Sequence, residues 1–212
     1  MIIMKEEEPL SLVSAKRLYN SLGLNIEQST KDLDFIHNLK ETLTKNEVSF
    51  SDILSLHMHV LYITMDLCVA FRFYLSAQIP HEERFAIQQL NVIMVEGYKR
   101  LYGFNSGIKT SLFYKVNPKQ NTITSIDYDG YRRVEKELVK LGNSSNLDKN
   151  ARDISVHYDT DVLKVFNMLV SMDAEETSQK VISCLDVLKS LTTYLCNVED
   201  LFLKSMRIRN IK

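Results

Sequence analysis

Residues 53–77 read ILSLHMHVLYITMDLCVAFRFYLSA, the most apolar region of this 212-residue chain. As a helix, the stretch would carry apolar side chains on nearly all sides, a pattern typical of a central helix that other helices cover. Polar residues interrupt it, so no uncharged run reaches the ~20 residues needed to span a bilayer. These residues are His57, His59, Asp66 and Arg72. The stretch therefore predicts a buried helix around which an all-α domain packs.

Local signals mark the ends of this helix and of the one that follows it. Ser49-x-x-Asp52 is suited to cap the apolar helix, which is expected to run to about Gln78. Pro80 suits the first turn of a second helix, whose apolar residues recur at helical spacing until Gly103 ends it. Two long helices with so short a connection predict an antiparallel hairpin.

Two shorter helices are predicted before this hairpin. The first spans Leu10–Leu22, and Gly23 follows where a left-handed C-terminal cap would lie. The second opens at Ser29-x-x-Asp32, which resembles a capping box.

The second half of the chain also favours helices. Residues 108–126 fit either a β-hairpin or a short helix with a loop, and we prefer the helix because a lone hairpin is weakly stable. A further helix is predicted over residues 131–141, ending at Gly142. Asp173-x-x-Glu176 resembles a capping box and opens a long final helix.

Composition favours one helical domain in a reducing compartment. The chain has only six Gly and three Pro, and 45% of its residues are hydrophobic. This composition favours long helices over many short strands. We expect a single domain, with an N-terminal helical elaboration over about residues 1–46 and a bundle over about residues 49–206. The three Cys show no C-x-x-C pairing and are expected to be small core residues. Three consecutive Glu near the N-terminus are unlike a cationic signal peptide, so we expect a cytoplasmic protein without a membrane segment.

The charge of the chain limits the ligands that it can bind. The formal net charge is −1, so there is no global basic field, and any contact with RNA must be local. Two basic clusters, within residues 132–136 and 204–212, could contact an RNA backbone, but such clusters are more often solvated helix faces. His57 and His59 would point to opposite sides of one helix, which makes them a poor metal pair. No Walker loop, G-x-G-x-x-G or G-x-S-x-G motif occurs, and no metal or cofactor is predicted.

One polar stretch carries the residues best suited to chemistry: Lys149-Asn150-Ala151-Arg152-Asp153-Ile154-Ser155-Val156-His157-Tyr158-Asp159. It follows a turn-rich loop and is predicted to begin a helix. Arg152 offers a planar fork of donors suited to phosphate, and the imidazole of a residue such as His157 ordinarily titrates near neutral pH. Together they can hold a phosphodiester and move a proton beside it.

The spacing R-x4-H from Arg152 to His157, with a polar residue directly after the Arg, resembles the signature of the HEPN superfamily (higher eukaryotes and prokaryotes nucleotide-binding domains). The resemblance implies an up-down helical bundle and a homodimer whose Arg and His line a cleft between protomers. It also implies a metal-independent endoribonuclease of phage defence or toxin-antitoxin systems, with RNA as substrate and an antitoxin or regulatory partner. The common form has Asn after the Arg, whereas this chain has Asp153.

Each residue of the motif has an expected role. The resemblance implies that His157 withdraws the proton of an RNA 2′-hydroxyl while Arg152 stabilises charge on the phosphoryl oxygens. Asp153 lies one helical turn before His157, where it can orient the imidazole and favour its charged form. Tyr158 is a candidate for contact to a base or to the phosphate, but an aromatic residue at a helix end is more often packed. Asn150 is a candidate donor to the phosphate, but a capping or surface position is favoured for it.

Two acidic residues of the hairpin helices are further candidates. The superfamily often adds an acidic or polar residue from an earlier helix, and Glu96, followed by Asp66, best fits that position. Both lie in apolar helical sequence, where a charge is costly unless it is paired. A structural ion network that includes Arg72 is therefore favoured over a catalytic role for these residues.

The motif also has a non-catalytic interpretation. Arg152 and His157 lie about 140° apart around a continuous helix, so they share a groove only if another protomer completes it. In a purely structural interpretation, Arg152 and Asp153 form a solvated helix start and His157 is a packing residue. The alternative function is then a HEPN-like binding or scaffold module without catalysis.

Overall fold

A computed structural model of the chain describes residues 12–43, 48–143, 147, 153, 167, 171 and 173–209. Within these ranges the chain is helical and contains no strand, which confirms the predicted all-α class. The α-helices are α1 (Leu12–Glu41), α2 (Val48–Ser76), α3 (Pro80–Leu101), α4 (Leu112–Lys115), α5 (Tyr128–Asn143) and α6 (Ala174–Arg209). Two 3-10 helices, Asn105–Thr110 and Thr124–Asp127, lie before and after α4.

Helix α2 lies at the centre of the bundle, as its apolar sequence predicts. It packs against α1, α3, α4 and α6. One hydrophobic cluster joins buried side chains from every α-helix named above, among them Leu22, Phe71, Leu90, Phe113 and Val134. Burying a side chain of this size stabilises a fold by roughly 1.5–3 kcal/mol, so the cluster holds α1 and the later helices in one core.

Helices α2 and α3 form the predicted antiparallel hairpin. Phe73 near the end of α2 meets Phe85 near the start of α3, with ring centroids 6.2 Å apart. Farther from the turn, Gly97 lies so close to Ile63 that a Cβ at position 97 would come within 2.8 Å of Cγ2 of Ile63. Pro80 occupies the first turn of α3, where its missing N–H leaves no helical bond unmade. These contacts pair residues in opposite chain directions and set the register of the hairpin.

Helix α1 is continuous, so the predicted break at Gly23 is wrong. The buried stripe that contains Leu22 and Leu33 runs straight through the predicted boundary. Gly23 lies inside the helix against the guanidinium of Arg72, where a Cβ would come within 3.4 Å of Nη1. The same guanidinium lies over the ring of Tyr19, 4.2 Å from its centroid. Glycine at this position makes room for α2 and does not end a helix.

Two other predicted helix starts also fall inside helices. Ser29 and Asp32 lie within α1, where Ser29 is buried and Asp32 accepts a hydrogen bond of 2.8 Å from Gln28. Ser49 is already helical in the first turn of α2, which begins at Val48. At Ser29 the polar motif therefore does not mark a helix boundary, because the neighbouring apolar stripe continues the helix, whereas the start predicted at Ser49 lies within one residue of the described start of α2.

Residues 108–126 form short helices and loops, so the preferred prediction is confirmed and the β-hairpin is wrong. The hydroxyl of Thr124 donates to the carbonyl of Val116 at 2.7 Å. The side-chain amide of Asn121 donates to the carbonyl of Ser49 in α2 at 2.8 Å. These side chains satisfy backbone carbonyls and tie the segment to the central helix.

Helix α5 extends beyond the predicted 131–141 at both ends. The carboxylate of Asp127 accepts a hydrogen bond of 3.0 Å from the amide of Gly130 and so caps its first turn. Gly142, predicted as the stop, is helical, and the hydroxyl of Tyr98 occupies the space that a Cβ at this position would need. This glycine, like Gly23, permits a close approach between helices.

The predicted capping box at the start of α6 is confirmed in its main contact. The carboxylate of Asp173 accepts a hydrogen bond of 2.9 Å from the amide of Glu176. The carboxylate of Glu176 forms an ion pair of 2.7 Å with Lys180. The cap therefore satisfies one of the amides that the first turn of a helix leaves without a partner.

Asp173→Ala is expected to lower the free energy of unfolding by about 1 kcal/mol, because it removes the side-chain acceptor of this cap. Urea unfolding followed by circular dichroism measures the change. Asp186→Ala is the matched control, since Asp186 is exposed farther along the same helix. Equal losses in the two variants would contradict the capping role.

Among the described helices, two are long and apolar enough to cross a membrane, judged by length and composition only: α2 and the Glu175–Met206 part of α6. The core helices of globular proteins pass the same test. In the bundle, 44% of the most apolar window of α2 and 39% of that of α6 are buried. Length and composition alone are therefore weak evidence for a membrane span.

Candidate functional site

Most of the predicted motif lies outside the described residues. This applies to Asn150, Arg152, His157 and Tyr158, and their expected roles stay predictions. Asp153 is described, and it is helical with an exposed side chain. The helical state of Asp153 agrees with a motif that begins a helix.

Asp66 lies on the α3 side of α2, at a mostly apolar groove of about 310 Å³. Side chains from both helices of the hairpin line this groove, among them Val69, Phe73, Phe85 and Ile93. Val69, Phe73 and Phe85 are 56%, 42% and 49% exposed, so the groove is open to solvent. Partial burial raises the pKa of the Asp66 carboxyl above its ordinary value.

The predicted network that would pair Asp66 with Arg72 is wrong. Arg72 turns to the opposite side of α2, where its guanidinium lies over Tyr19 and against Gly23 of α1. Asp66 faces the groove that α2 shares with α3. Residues six positions apart on a helix lie on different faces, so Asp66 and Arg72 lie at different helix–helix interfaces.

Glu96 is half-buried on α3 and lines a cavity of about 340 Å³ where that helix ends. The remaining lining comes from the last turn of α3 and the segment after it, namely Lys99, Arg100, Gly103, Phe104, Gly107, Thr110 and Ser111. The cavity therefore places two basic side chains, one carboxylate and one aromatic ring around the same space. Asp66 is not among its lining residues, so the two acidic candidates belong to different openings.

A tight turn builds this cavity. Gly103 has φ of +83°, the left-handed conformation that favours glycine, and its amide donates to the carbonyl of Tyr98 at 3.1 Å. The chain then folds back into the first 3-10 helix, whose Gly107 amide donates to the carbonyl of Phe104 at 2.9 Å. A Cβ at Gly103 would come within 2.6 Å of the carbonyl oxygen of Gly107, so this close return requires glycine.

The described cations Arg132 and Lys204, one from each basic cluster, lie on solvated helix faces. Arg132 pairs with Glu135 at 2.6 Å along α5, and Arg132 remains 52% exposed. Lys204 pairs with Asp200 at 2.8 Å along α6, and both side chains are about two-thirds exposed. Such intrahelical pairs are worth only about 0.3–0.5 kcal/mol and leave the cations accessible.

A buried ion pair that the sequence does not predict joins α2 and α6. Nδ1 of His57 lies 2.8 Å from Oε1 of Glu199, and the two side chains are only 2% and 9% exposed. His59 instead hydrogen-bonds the Ser55 carbonyl at 2.9 Å, so the two histidines do point to different sides. No local sequence pattern indicates that Glu199 contacts a residue as distant in sequence as His57. The one available signal is that Glu199 interrupts the apolar stripe of α6.

The surroundings of His57 keep its imidazole charged at neutral pH. Burial alone would lower its pKa, but the neighbouring Cys196 and the Glu199 carboxylate outweigh this effect and raise the pKa to about 9. An imidazolium at neutral pH has no free base to accept a proton, which makes His57 a structural partner and not a general base. Cys196 itself is exposed, so its predicted core position is wrong, whereas Cys68 and Cys184 are buried as expected.

Comparison with models of protein families, with curated proteins and with solved structures finds no match to this chain.

Proposed function

We propose that the chain is a metal-independent endoribonuclease of the HEPN type. The observation that carries the proposal is the sequence Arg152-x4-His157 in a chain whose described part is mostly helical and contains no strand. Asp153, inside this motif, is helical and exposed, which suits the first turn of a helix that faces a groove. The helical bundle supports the architecture that the resemblance implies.

The reaction is attack of an RNA 2′-hydroxyl on the adjacent phosphate. His157 withdraws the hydroxyl proton while the bond from the 2′-oxygen to phosphorus forms and the bond from phosphorus to the 5′-oxygen breaks. Arg152 stabilises the charge on the phosphoryl oxygens. A protonated group of the second protomer gives its proton to the leaving 5′-oxygen. The products carry a cyclic phosphate and a free 5′-hydroxyl, and the scheme uses no metal ion or cofactor.

Supporting roles fall to polar residues near the motif and on α3. Asp153 orients His157 from one helical turn away. Tyr158 and Asn150 contact the base or the phosphate of the substrate. Glu96 is favoured over Asp66 as the additional acidic residue, because Glu96 shares a cavity with two cations whereas Asp66 lies at an apolar groove.

The active form in this proposal is a cytoplasmic homodimer in phage defence or a toxin-like system, held in check by an antitoxin or another regulatory partner. Arg152 and His157 do not share a face of one helix, so a second protomer is needed to complete the site. Light scattering tests this requirement. A monomer that cleaves RNA would contradict the composite site.

The purified chain is expected to cleave a mixed-sequence RNA in the presence of a chelator. The products should end in cyclic phosphate and 5′-hydroxyl groups, because the attacking group is the neighbouring 2′-hydroxyl. Gel electrophoresis with enzymatic analysis of the ends measures both. An intact dimer that leaves RNA uncut, or products with 5′-phosphate ends, would contradict the proposed reaction.

The second candidate function is a HEPN-like binding or scaffold module without catalysis. The groove beside Asp66 favours it, since it exposes Val69, Phe73 and Phe85 on adjacent turns of α2 and α3. Contiguous apolar surface of this kind is typical of protein contacts. The departure at Asp153 from the usual Asn also favours this function. RNA cleavage that depends on His157 would exclude the module as the whole function.

A further inference from the structure

The cavity at the end of α3 combines cations and an aromatic ring in one small space. Lys99 and Arg100 are exposed in the last turn of α3, and Phe104 follows directly after the turn at Gly103. The Phe104 ring packs 4.8 Å from the Tyr98 ring, which holds it in position while it still lines the cavity. Proteins bind single-stranded nucleic acid with this combination, because cations hold the backbone and aromatic rings stack on bases.

Charge alone does not make this cavity a phosphate site. Its lining has two positive side chains, Lys99 and Arg100, and one negative side chain, Glu96, which leaves a net charge of +1. The last turn of a helix also carries a partial negative charge, which disfavours a bare anion. A nucleotide is expected to bind more tightly than a bare phosphate, because its base can stack on Phe104 and donate a hydrogen bond to the carboxylate of Glu96.

The size and walls of the cavity suit one nucleotide. Its volume of about 340 Å³ lies at the small end of the roughly 300–1,000 Å³ typical of ligand sites, too small for a double helix. Gly107 forms part of the lining, and a Cβ at this position would meet no atom within 4 Å. The wall at position 107 therefore borders open space that a ligand, or an introduced side chain, can occupy.

We propose that this cavity binds one nucleotide unit of single-stranded RNA. Arg100 and Lys99 hold the phosphate, and the base stacks on Phe104. The inference rests on the proposed function, because it assigns a place on the ribonuclease where a nucleotide of the substrate is held. Its lining includes Glu96, the supporting acidic residue of the proposed function, whereas the proton transfer is assigned to His157.

Binding of a fluorescent single-stranded oligonucleotide with 2′-O-methyl groups tests the site, because this RNA cannot be cleaved by 2′-hydroxyl attack. Anisotropy titrations with the full chain give the dissociation constant at several salt concentrations. Arg100→Gln is expected to weaken binding about 5-fold or more and to reduce the salt dependence by about one phosphate contact. Phe104→Leu keeps an apolar side chain and is expected to weaken binding at least about 5-fold at every salt concentration.

Gly107→Leu probes the cavity without removing any contact. The new side chain has open space to enter, so the fold is expected to persist, and circular dichroism with urea unfolding checks it. Occupation of the cavity is expected to weaken binding of the oligonucleotide at least about 10-fold. Arg133→Gln is the matched control, since Arg133 is exposed on α5 and does not line the cavity. This control is expected to change binding by less than about 2-fold.

The site is overturned if the three cavity variants bind RNA as wild type does, or if Arg133→Gln weakens binding as much as Arg100→Gln. Adenosine monophosphate is titrated in parallel. Tight binding of the free nucleotide without binding of the oligonucleotide would also overturn the proposal and indicate a mononucleotide site. His157→Ala is expected to bind the oligonucleotide normally. If RNA binding depends on the cavity but the wild-type chain does not cleave RNA, the proposed ribonuclease activity is contradicted while the proposed binding site is supported.

Discussion

His157→Ala is expected to reduce RNA cleavage by roughly 10²–10⁴-fold, the usual contribution of a general base. Without the imidazole, the 2′-hydroxyl must lose its proton to water, while Arg152 can still bind the phosphate. The loss should therefore appear in the rate of the chemical step measured in single-turnover assays with excess protein. Binding of uncleavable RNA and the unfolding midpoint should remain close to those of wild type.

Two variants separate this effect from a general loss of histidine or charge. His81→Ala removes an exposed histidine from the first turn of α3 and is expected to leave cleavage unchanged. Arg152→Lys keeps the positive charge but loses the planar fork, so cleavage is expected to fall between wild type and His157→Ala. Cleavage at the wild-type rate by purified His157→Ala would assign the activity to another site or to a contaminant.

The sequence predicted those elements whose signals lie within a few residues of each other. The apolar run of α2, Pro80 at the start of α3 and the Asp173 cap of α6 all act over one or two helical turns. Each of these predictions is confirmed. Fold class followed from them, because helices with apolar faces must pack on one another to bury those faces.

Glycine was the misleading signal, because its meaning depends on distant residues. The sequence predicts helix ends at Gly23 and Gly142, yet each lies within a helix where another side chain approaches the backbone. The neighbours are Arg72 and Tyr98, which belong to other helices. Gly103 carries the same local signal and does end a helix, with a positive φ. Sequence alone could not separate these cases, because close packing and left-handed backbone both require the absence of a Cβ.

The candidate sites depend on contacts between residues that are distant in sequence. Glu199 is 142 positions from His57, and no periodic pattern links the two. The cavity near Glu96 likewise depends on how the segment after Gly103 folds back over α3. The sequence could identify Glu96 as an acidic residue in an apolar helix, but it could not place Lys99, Arg100 and Phe104 around the same space.

The ion pair between His57 and Glu199 leads to the second large expected effect. Glu199→Gln should lower the free energy of unfolding by roughly 3 kcal/mol at pH 6, because it removes the partner of a buried charge. The amide of Gln has nearly the same shape as the carboxylate, so packing is conserved. Urea unfolding at fixed ionic strength measures the loss.

The dependence of stability on pH should also change. The folded pKa of His57 is about 9, above the ordinary value of 6.5, so the folded state holds this proton more tightly than the unfolded state does. Its stabilising contribution is complete below pH 6.5, declines as pH rises, and is lost above about pH 9. Between pH 6.5 and 8, wild type should lose roughly 2 kcal/mol from this group. Burial raises the pKa values of the Cys68 and Cys184 thiols to about 11 and 12. Measurements that stop at pH 8 limit the contribution of these thiols to the pH dependence of stability.

Glu199→Gln should weaken this trend, because the variant loses the carboxylate that raises the pKa of His57 but keeps the burial that lowers it and the neighbouring Cys196 that raises it. The variant should then lose less stability than wild type between pH 6.5 and 8. Asp200→Asn makes the same chemical change at an exposed pair on the same helix and is expected to cost less than about 0.5 kcal/mol. If both variants lose equal stability, or if Glu199→Gln keeps the pH dependence of wild type, then His57 is not held as a buried imidazolium. The contact between α2 and α6 would in that case depend on apolar packing alone.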